Sequence, residues 1–196
     1  MIIKLAKLLK NKKLIIVIGI IILIIMLFIV LDVKGKIMKI MYPRHYEEII
    51  SKYADEYNVD KNLIFAIIKA ESNFENTAQS IKDAKGLMQL MESTAKDVAN
   101  KIGLEIKSDE LGEKLLEPEI NIRLGTKYIS ILMEKYQNIE IALTAYNAGI
   151  GTVDNWIEKG ILKADGSDIE NIPYKETNNY VRKILRDYRI YQSFYL

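Results

Sequence analysis

The sequence predicts an all-α domain preceded by one membrane-spanning helix. Three observations carry that reading. Apolar residues after Pro43 recur at three- and four-residue spacing, no alternating strand pattern exceeds four residues, and Leu14–Leu31 contains no charge. There is no internal repeat.

Leu14–Leu31 is rich in Ile and, as a helix, would run about 27 Å, long enough to cross a bilayer. Lys4, Lys7, Lys10, Lys12 and Lys13 precede this stretch, and no acidic residue precedes Asp32. The stretch ends at Asp32-Val33-Lys34 without a small-x-small cleavage pattern. Residues 1–13 therefore read as a basic cytoplasmic segment and residues 14–31 as an uncleaved signal anchor with the N-terminus inside. A cleaved signal peptide is the alternative. Residues 32–45 read as a linker and residues 46–196 as one domain on the extracytoplasmic side of the membrane.

Within the domain, Ile49, Ile50, Tyr53 and Ala54 form the stripe of a first helix over Tyr46–Tyr57, interrupted by Asn58-Val59-Asp60. Asp60 suits the N-cap of a second helix running through Leu63 to about Ser72. Asn73–Lys85 is polar and irregular, and Gly86 admits a tight turn into Leu87–Met91. Ser93–Ile102 is the next helix, stopped by Gly103; residues 103–117 are poorly periodic. Pro118 opens a helix whose apolar face is Ile120, Leu124, Tyr128, Ile131 and Leu132. Ile139–Ala148 follows, closed by Gly149 and Gly151, then a short helix around Val153–Glu158. The Asp165-Gly166-Ser167-Asp168 loop lacks the spaced ligands and terminal Glu of an EF-hand and reads as a surface turn. After Pro173, a last helix spans Glu176–Ser193.

The formal charge of +2 mixes two regions. Removing the five lysines of residues 1–31 from the 28 basic residues leaves 23 against 26 acidic ones, so residues 32–196 carry about −3. That balance argues against nucleic acid as a partner. The chain has no Cys and one His, which excludes disulfides and a metal site of the usual zinc type. His45 lies beside Pro43 and Arg44 in the linker, a poor place for a positioned base, and reads as a surface residue.

One carboxyl stands out. Glu71 ends the run Leu63-Ile64-Phe65-Ala66-Ile67-Ile68-Lys69-Ala70, with Ile64, Ile67 and Ile68 on its own face. Burial and the negative end of the helix dipole both favour the neutral acid, as a general acid acting near neutral pH requires. An exposed Glu at a helix end is the plainer alternative.

Three separated segments bear on that choice: Glu71-Ser72-x-Phe74 with Ala78-x-Ser80 and Gly86-Leu87-Met88-Gln89-Leu90-Met91; Ala145-Tyr146-Asn147-Ala148-Gly149-x-Gly151; and Pro173-Tyr174-x-Glu176-Thr177-x-x-Tyr180-Val181. In this order they resemble the signatures of the goose-lysozyme-like soluble lytic transglycosylases (the SLT catalytic domain), across roughly residues 46–193. The resemblance implies a lysozyme-like helical fold, no cofactor, and peptidoglycan glycan strands as substrate. It implies cleavage of the β-1,4 bond from N-acetylmuramic acid to N-acetylglucosamine, leaving a 1,6-anhydro end. Glu71 takes the place of the single catalytic acid and base. Ser80, Gln89, Met91, Tyr146, Asn147, Glu176 and Tyr180 take the places of substrate-groove residues. Away from the motifs, Tyr146 and Tyr180 would read as core aromatics and Gln89 as a surface residue. Trp156 matches no motif position and reads as core.

Glu92, Ile150 and Asn178 depart from the pattern, standing where Pro, Pro and Arg are common. A hydrolytic muramidase with Asp83 or Glu176 positioning water, and a peptidoglycan-binding module without turnover, are the competing readings. A larger envelope machine is a further conceivable partner that the sequence does not identify.

Overall fold

The computed structural model describes residues 12–195 and divides after Arg44 into two compact units. In the first, helix α1 (Lys12–Met41) is apolar on every side from Ile15 to Leu31, with a mean hydropathy of 3.4 over its most apolar window and none of that window buried. Most of the expected basic segment, residues 1–11, lies outside the described residues. The expected linker is itself helical as far as Met41: Asp32 and Lys36 pair across one turn at 2.8 Å, and no helix breaker comes before Pro43.

The second unit is built of helices joined by turns and irregular segments, with no strand among the described residues beyond isolated bridges at Gln79–Lys85 and Lys85–Leu90. Its elements are α2 (Glu47–Glu56), α3 (Lys61–Glu71), α4 (Glu92–Lys101), the one-turn α5 (Leu111–Lys114), α6 (Pro118–Tyr136), α7 (Ile139–Ala148), α8 (Ile150–Glu158) and α9 (Lys175–Phe194). A 3-10 turn spans Ile169–Asn171. α5 falls where the periodicity was too poor to predict a helix; Leu111 and Leu115 bury into the cluster of Leu90, Ala95, Val98 and Leu124. Tertiary packing, not local propensity, holds so short a helix.

α3 is the centre of the domain. Leu63 through Ile68 are all essentially inaccessible, at roughly 2 kcal/mol for each large aliphatic side chain removed from water. α9 packs along one side of it and α2 against another. Phe65 stacks on Tyr191 of α9 at 5.4 Å between ring centroids. Asp60 caps α3 as expected, accepting from Asn62 N at 2.8 Å. It also accepts from the Tyr188 hydroxyl at 2.7 Å, so one carboxylate starts α3 and anchors α9. α6 packs against α7 on the other side, and α7 also touches α9.

His45 is exposed and sets its ring edge against Phe74 at 5.6 Å. Trp156 is buried, edge-on to Tyr174 at 4.9 Å.

Candidate active site

α3 stops at Glu71 for a backbone reason. Asn73 and Phe74 follow in the left-handed region, at φ 50° and 67°, a conformation that side chains with a Cβ adopt at a cost. The buried Phe74 ring, packed near Phe65 at 6.3 Å, helps to hold this turn. The chain leaves the helix at the acid and nowhere else.

Glu71 is half-buried at the end of this wholly buried helix. Burial pushes its pKa up to about 7, against the opposing pull of a hydrogen bond from Tyr180 and the charge of Lys183. The Tyr180 hydroxyl donates to Glu71 Oε1 at 2.7 Å. One turn along α9, Lys183 Nζ donates to the Ala70 carbonyl at 3.2 Å, setting a cation against the negative end of α3. Burial and the helix dipole were legible in the sequence. Tyr180 was expected as a groove residue, but neither its hydrogen bond to the acid nor the place of Lys183 was legible.

Ser72, the residue after Glu71, reaches the turn Gly86–Leu90. Gly86 has φ 75°, and a Cβ there would come within 2.2 Å of the Leu115 carbonyl oxygen, so the position is closed to other residues. Three side chains grip this turn. Ser72 Oγ donates to the Leu87 carbonyl at 2.8 Å, and the Tyr146 hydroxyl donates to the Met88 carbonyl at 2.8 Å. Asn121, wholly buried in α6, accepts from Met88 N at 2.7 Å and donates to the carbonyls of Lys85 and Leu115 at 2.9 and 2.8 Å. The sequence reading gave neither Ser72 nor Asn121 a role. Ser72 could have been found from its place beside the acid, and Asn121 as a polar residue between Ile120 and Ile122 in an apolar helix.

Gln89, Met91, Tyr146 and Asn147 line one cavity of about 230 Å³, together with Thr94, Tyr128 and Gly149. Met91 is 41% exposed on its wall. The Tyr146 ring leans on Tyr128 at 5.2 Å, and its phenol is pushed well above the ordinary value, first by burial and then by the Glu71 carboxylate. Gln89, at φ 46°, spends its amide nitrogen on the carbonyls of Ala78 and Gly86 at 3.0 and 2.9 Å. Only its amide oxygen faces no such demand. Asn147 Oδ1 accepts from Thr177 Oγ1 at 2.7 Å, tying α7 to α9.

Ser80, Glu176, Tyr180 and Glu71 itself do not line this cavity. The Ser80 hydroxyl oxygen accepts from Lys82 N and Ala84 N at 3.2 and 3.1 Å, closing its own loop. Glu176 is exposed in the first turn of α9. Asp83 is held by Gln79 and lies 3.6 Å from Lys85. A larger hollow of about 800 Å³ beneath Gly103–Lys107 shares no lining residue with the cavity beside Tyr146.

The departures from the pattern are locally satisfied. Glu92 meets Lys85 at 2.6 Å, so its charge is neutralised where it stands. Asn178 donates to the Ile169 carbonyl at 2.6 Å and accepts from Arg182 Nε at 2.8 Å.

Comparison with known proteins bears on the family and the fold. The chain is 32% identical over 156 residues to a soluble lytic murein transglycosylase of Salmonella typhimurium, covering 78% of this chain and 24% of that protein. It is 39% identical over 132 residues to a membrane-bound lytic murein transglycosylase C of Edwardsiella ictaluri, covering 58% of this chain and 35% of that protein. An inactive mutant of the lytic transglycosylase Slt from Pseudomonas aeruginosa superposes with a TM-score of 0.72 at 35% identity, over 80% of this chain and 25% of that one. The chain thus spans about a quarter to a third of the length of these relatives. The family profile described as the transglycosylase SLT domain matches residues 48–166, more than half of the sequence, and the chain belongs to that family.

Proposed function

We propose that this chain is a membrane-anchored lytic transglycosylase that cleaves the β-1,4 bond between N-acetylmuramic acid and N-acetylglucosamine. The observation that carries the reading is Glu71, a carboxyl with a pKa near 7 at the end of a buried helix, hydrogen-bonded by Tyr180. A group poised near ambient pH can give a proton and take one back.

In the first step protonated Glu71 donates its proton to the bridging oxygen as the bond from that oxygen to the muramic C1 breaks. The sugar on the leaving side departs as an alcohol. The muramic C6 hydroxyl then attacks C1, and its proton passes to the Glu71 carboxylate. The 1,6-anhydro ring closes without consuming water, and the acid is regenerated. Tyr180 and Lys183 stabilise the carboxylate between the two transfers. Tyr146, Asn147, Met91 and the Gln89 amide oxygen line the groove beside the scissile bond.

The one-carboxylate route is favoured over hydrolysis because the two candidates for positioning water are placed for other work. Asp83 is occupied by Gln79 and Lys85, and Glu176 lies exposed at the start of α9. Residues 14–31 would hold the enzyme in the membrane, with the domain on the side of the cell wall.

Mass spectrometry of fragments released from purified peptidoglycan tests the proposal. Ends one water lighter than reducing ends are expected; reducing ends alone would mean hydrolysis. Glu71→Gln should abolish release while keeping affinity for glycan. Release at the parental rate by that variant would remove Glu71 from the role.

A further inference from the structure

The sequence has five arginines, and three of them line one hollow. Arg182, Leu185, Arg186, Arg189 and Ile190 fall at i, i+3, i+4, i+7 and i+8 of α9 and so form one stripe. With Ile169 of the 3-10 turn they enclose about 380 Å³, and no acidic residue lines the space. The other edges of α9 are committed elsewhere: Tyr180 bonds Glu71, Lys183 bonds Ala70, and Tyr188 reaches Asp60. All three arginines are exposed. Arg182 Nε donates to the Asn178 amide oxygen at 2.8 Å, and Arg186 donates twice to buried Asp187 at 2.9 Å. Among the described residues no ion pair engages Arg182 or Arg189.

The chain uses lysine 23 times, so the arginines here are a choice of chemistry and not of charge alone. A guanidinium presents a planar fork that a phosphate matches with two hydrogen bonds. Three forks over two turns suit several phosphates side by side. The aliphatic side chains between them suit phosphates that carry hydrocarbon, which a soluble polyanion lacks. The headgroup region of an anionic phospholipid layer supplies both. Such a layer is within reach. α1 continues past Leu31 for about 15 Å of helix, and residues 42–46 add at most about 18 Å of extended chain before α2. Where the chain enters the domain, His45 meets Phe74 at 5.6 Å, Phe74 lies 6.3 Å from Phe65, and Phe65 stacks on Tyr191 at 5.4 Å. The tether therefore joins the domain three ring contacts from Tyr191, the residue that follows Ile190 on α9.

We propose that the arginine face of α9 docks on anionic phospholipid headgroups of the membrane that holds α1, an inference that rests on the membrane-anchored reading above. Docking fixes the height at which the acid works, because Tyr180 and Lys183 on the adjoining edge of the same helix hold the end of α3. The chain has no Cys, so Ser193→Cys, exposed and one turn after Arg189, takes a single fluorophore. The full chain is placed in nanodiscs of phosphatidylcholine alone or with about one third phosphatidylglycerol, both carrying nitroxide-labelled headgroups. Quenching is expected in the anionic discs, weak in the neutral ones, and lost at high salt. Each arginine beside an anionic surface is worth about fivefold, so Arg182→Gln/Arg189→Gln should lower the docked-to-undocked ratio by about 25-fold. Arg186 stays in place because buried Asp187 needs its partner. Arg182→Lys/Arg189→Lys, which keeps the charge without the forks, should lose part of the quenching. Equal quenching in the two discs, or parental quenching in both variants, overturns the proposal. So does emission that responds to soluble poly(glycerol phosphate) but not to anionic discs, which would assign the face to a wall polymer. A chain that leaves neutral discs altogether overturns the anchor as well, whereas a disc-bound chain with flat quenching overturns this proposal alone.

Discussion

Tyr180 and Glu71, 109 residues apart in sequence, meet at 2.7 Å with the phenol donating to the carboxyl. This bond favours the ionised form and works against the burial that raises the Glu71 pKa. The phenol itself is pushed well above its usual range, by burial first and then by the adjacent carboxylate, so it stays protonated as a donor. The site therefore holds its acid near neutrality as a balance between a greasy helix end and two groups from α9.

Tyr180→Phe removes the donor. The upper limb of the pH–rate profile should move to higher pH, and turnover should fall by about ten- to a hundredfold, the size of a lost hydrogen bond to a charged group. Parallel profiles of parent and variant on glycan strands check both. An unmoved limb would mean that the bond does not act on the acid.

Lys183→Met should also raise the upper limb, because its charge lowers the Glu71 pKa and its ammonium caps the Ala70 carbonyl. Lys183 is exposed, so added salt should move the parent profile the same way while barely affecting the variant. Lys183→Arg should restore the parental limb.

Glu71→Gln should stabilise the fold at alkaline pH. The carboxyl titrates near 4.5 when unfolded and about 7 when folded, so ionising it costs folding free energy. That cost is absent below pH 4.5, grows between 4.5 and 7, and is complete above 7. A gain of roughly 1–3 kcal/mol at pH 8, vanishing at pH 4, is expected in urea melts, with solvent access to the half-buried group trimming the upper figure.

Asn121→Leu should lower stability by about 2–4 kcal/mol, since it leaves Met88 N and two carbonyls without their partner. Activity should fall further than stability predicts, because the turn bound by Ser72 and Tyr146 loses one of its three grips. Denaturation midpoints and turnover at a temperature where the variant is folded separate the two effects.

Most of the fold was legible because the apolar spacing of α2, α3, α6 and α9 is strong and Asp60, Pro118 and Gly149 mark ends by known chemistry. α5 escaped because four residues cannot show a period; only Leu111 and Leu115 meeting the α4 face reveal it. The helical character of residues 32–41 escaped because alternating charge looks like a loop until Asp32 and Lys36 are seen one turn apart. At the site, Glu71 was legible from its own helix and Tyr146 from its motif. Ser80 and Gln89 carried family signatures, yet their hydrogen bonds go mainly to the backbone of their own loop. A motif fixes which residues occur, and a single sequence does not say whether each serves ligand or scaffold. Lys183 was invisible for a different reason: its partner lies 113 residues away.

The long separation between α3 and α9 has a consequence for timing. A chain synthesised from its N-terminus presents Glu71 well before Tyr180 and Lys183. Until the final helix docks, the carboxyl sits at a frayed, wetted end and behaves as an ordinary side chain. Under the proposed function, the acid thus becomes competent only when the last helix has docked.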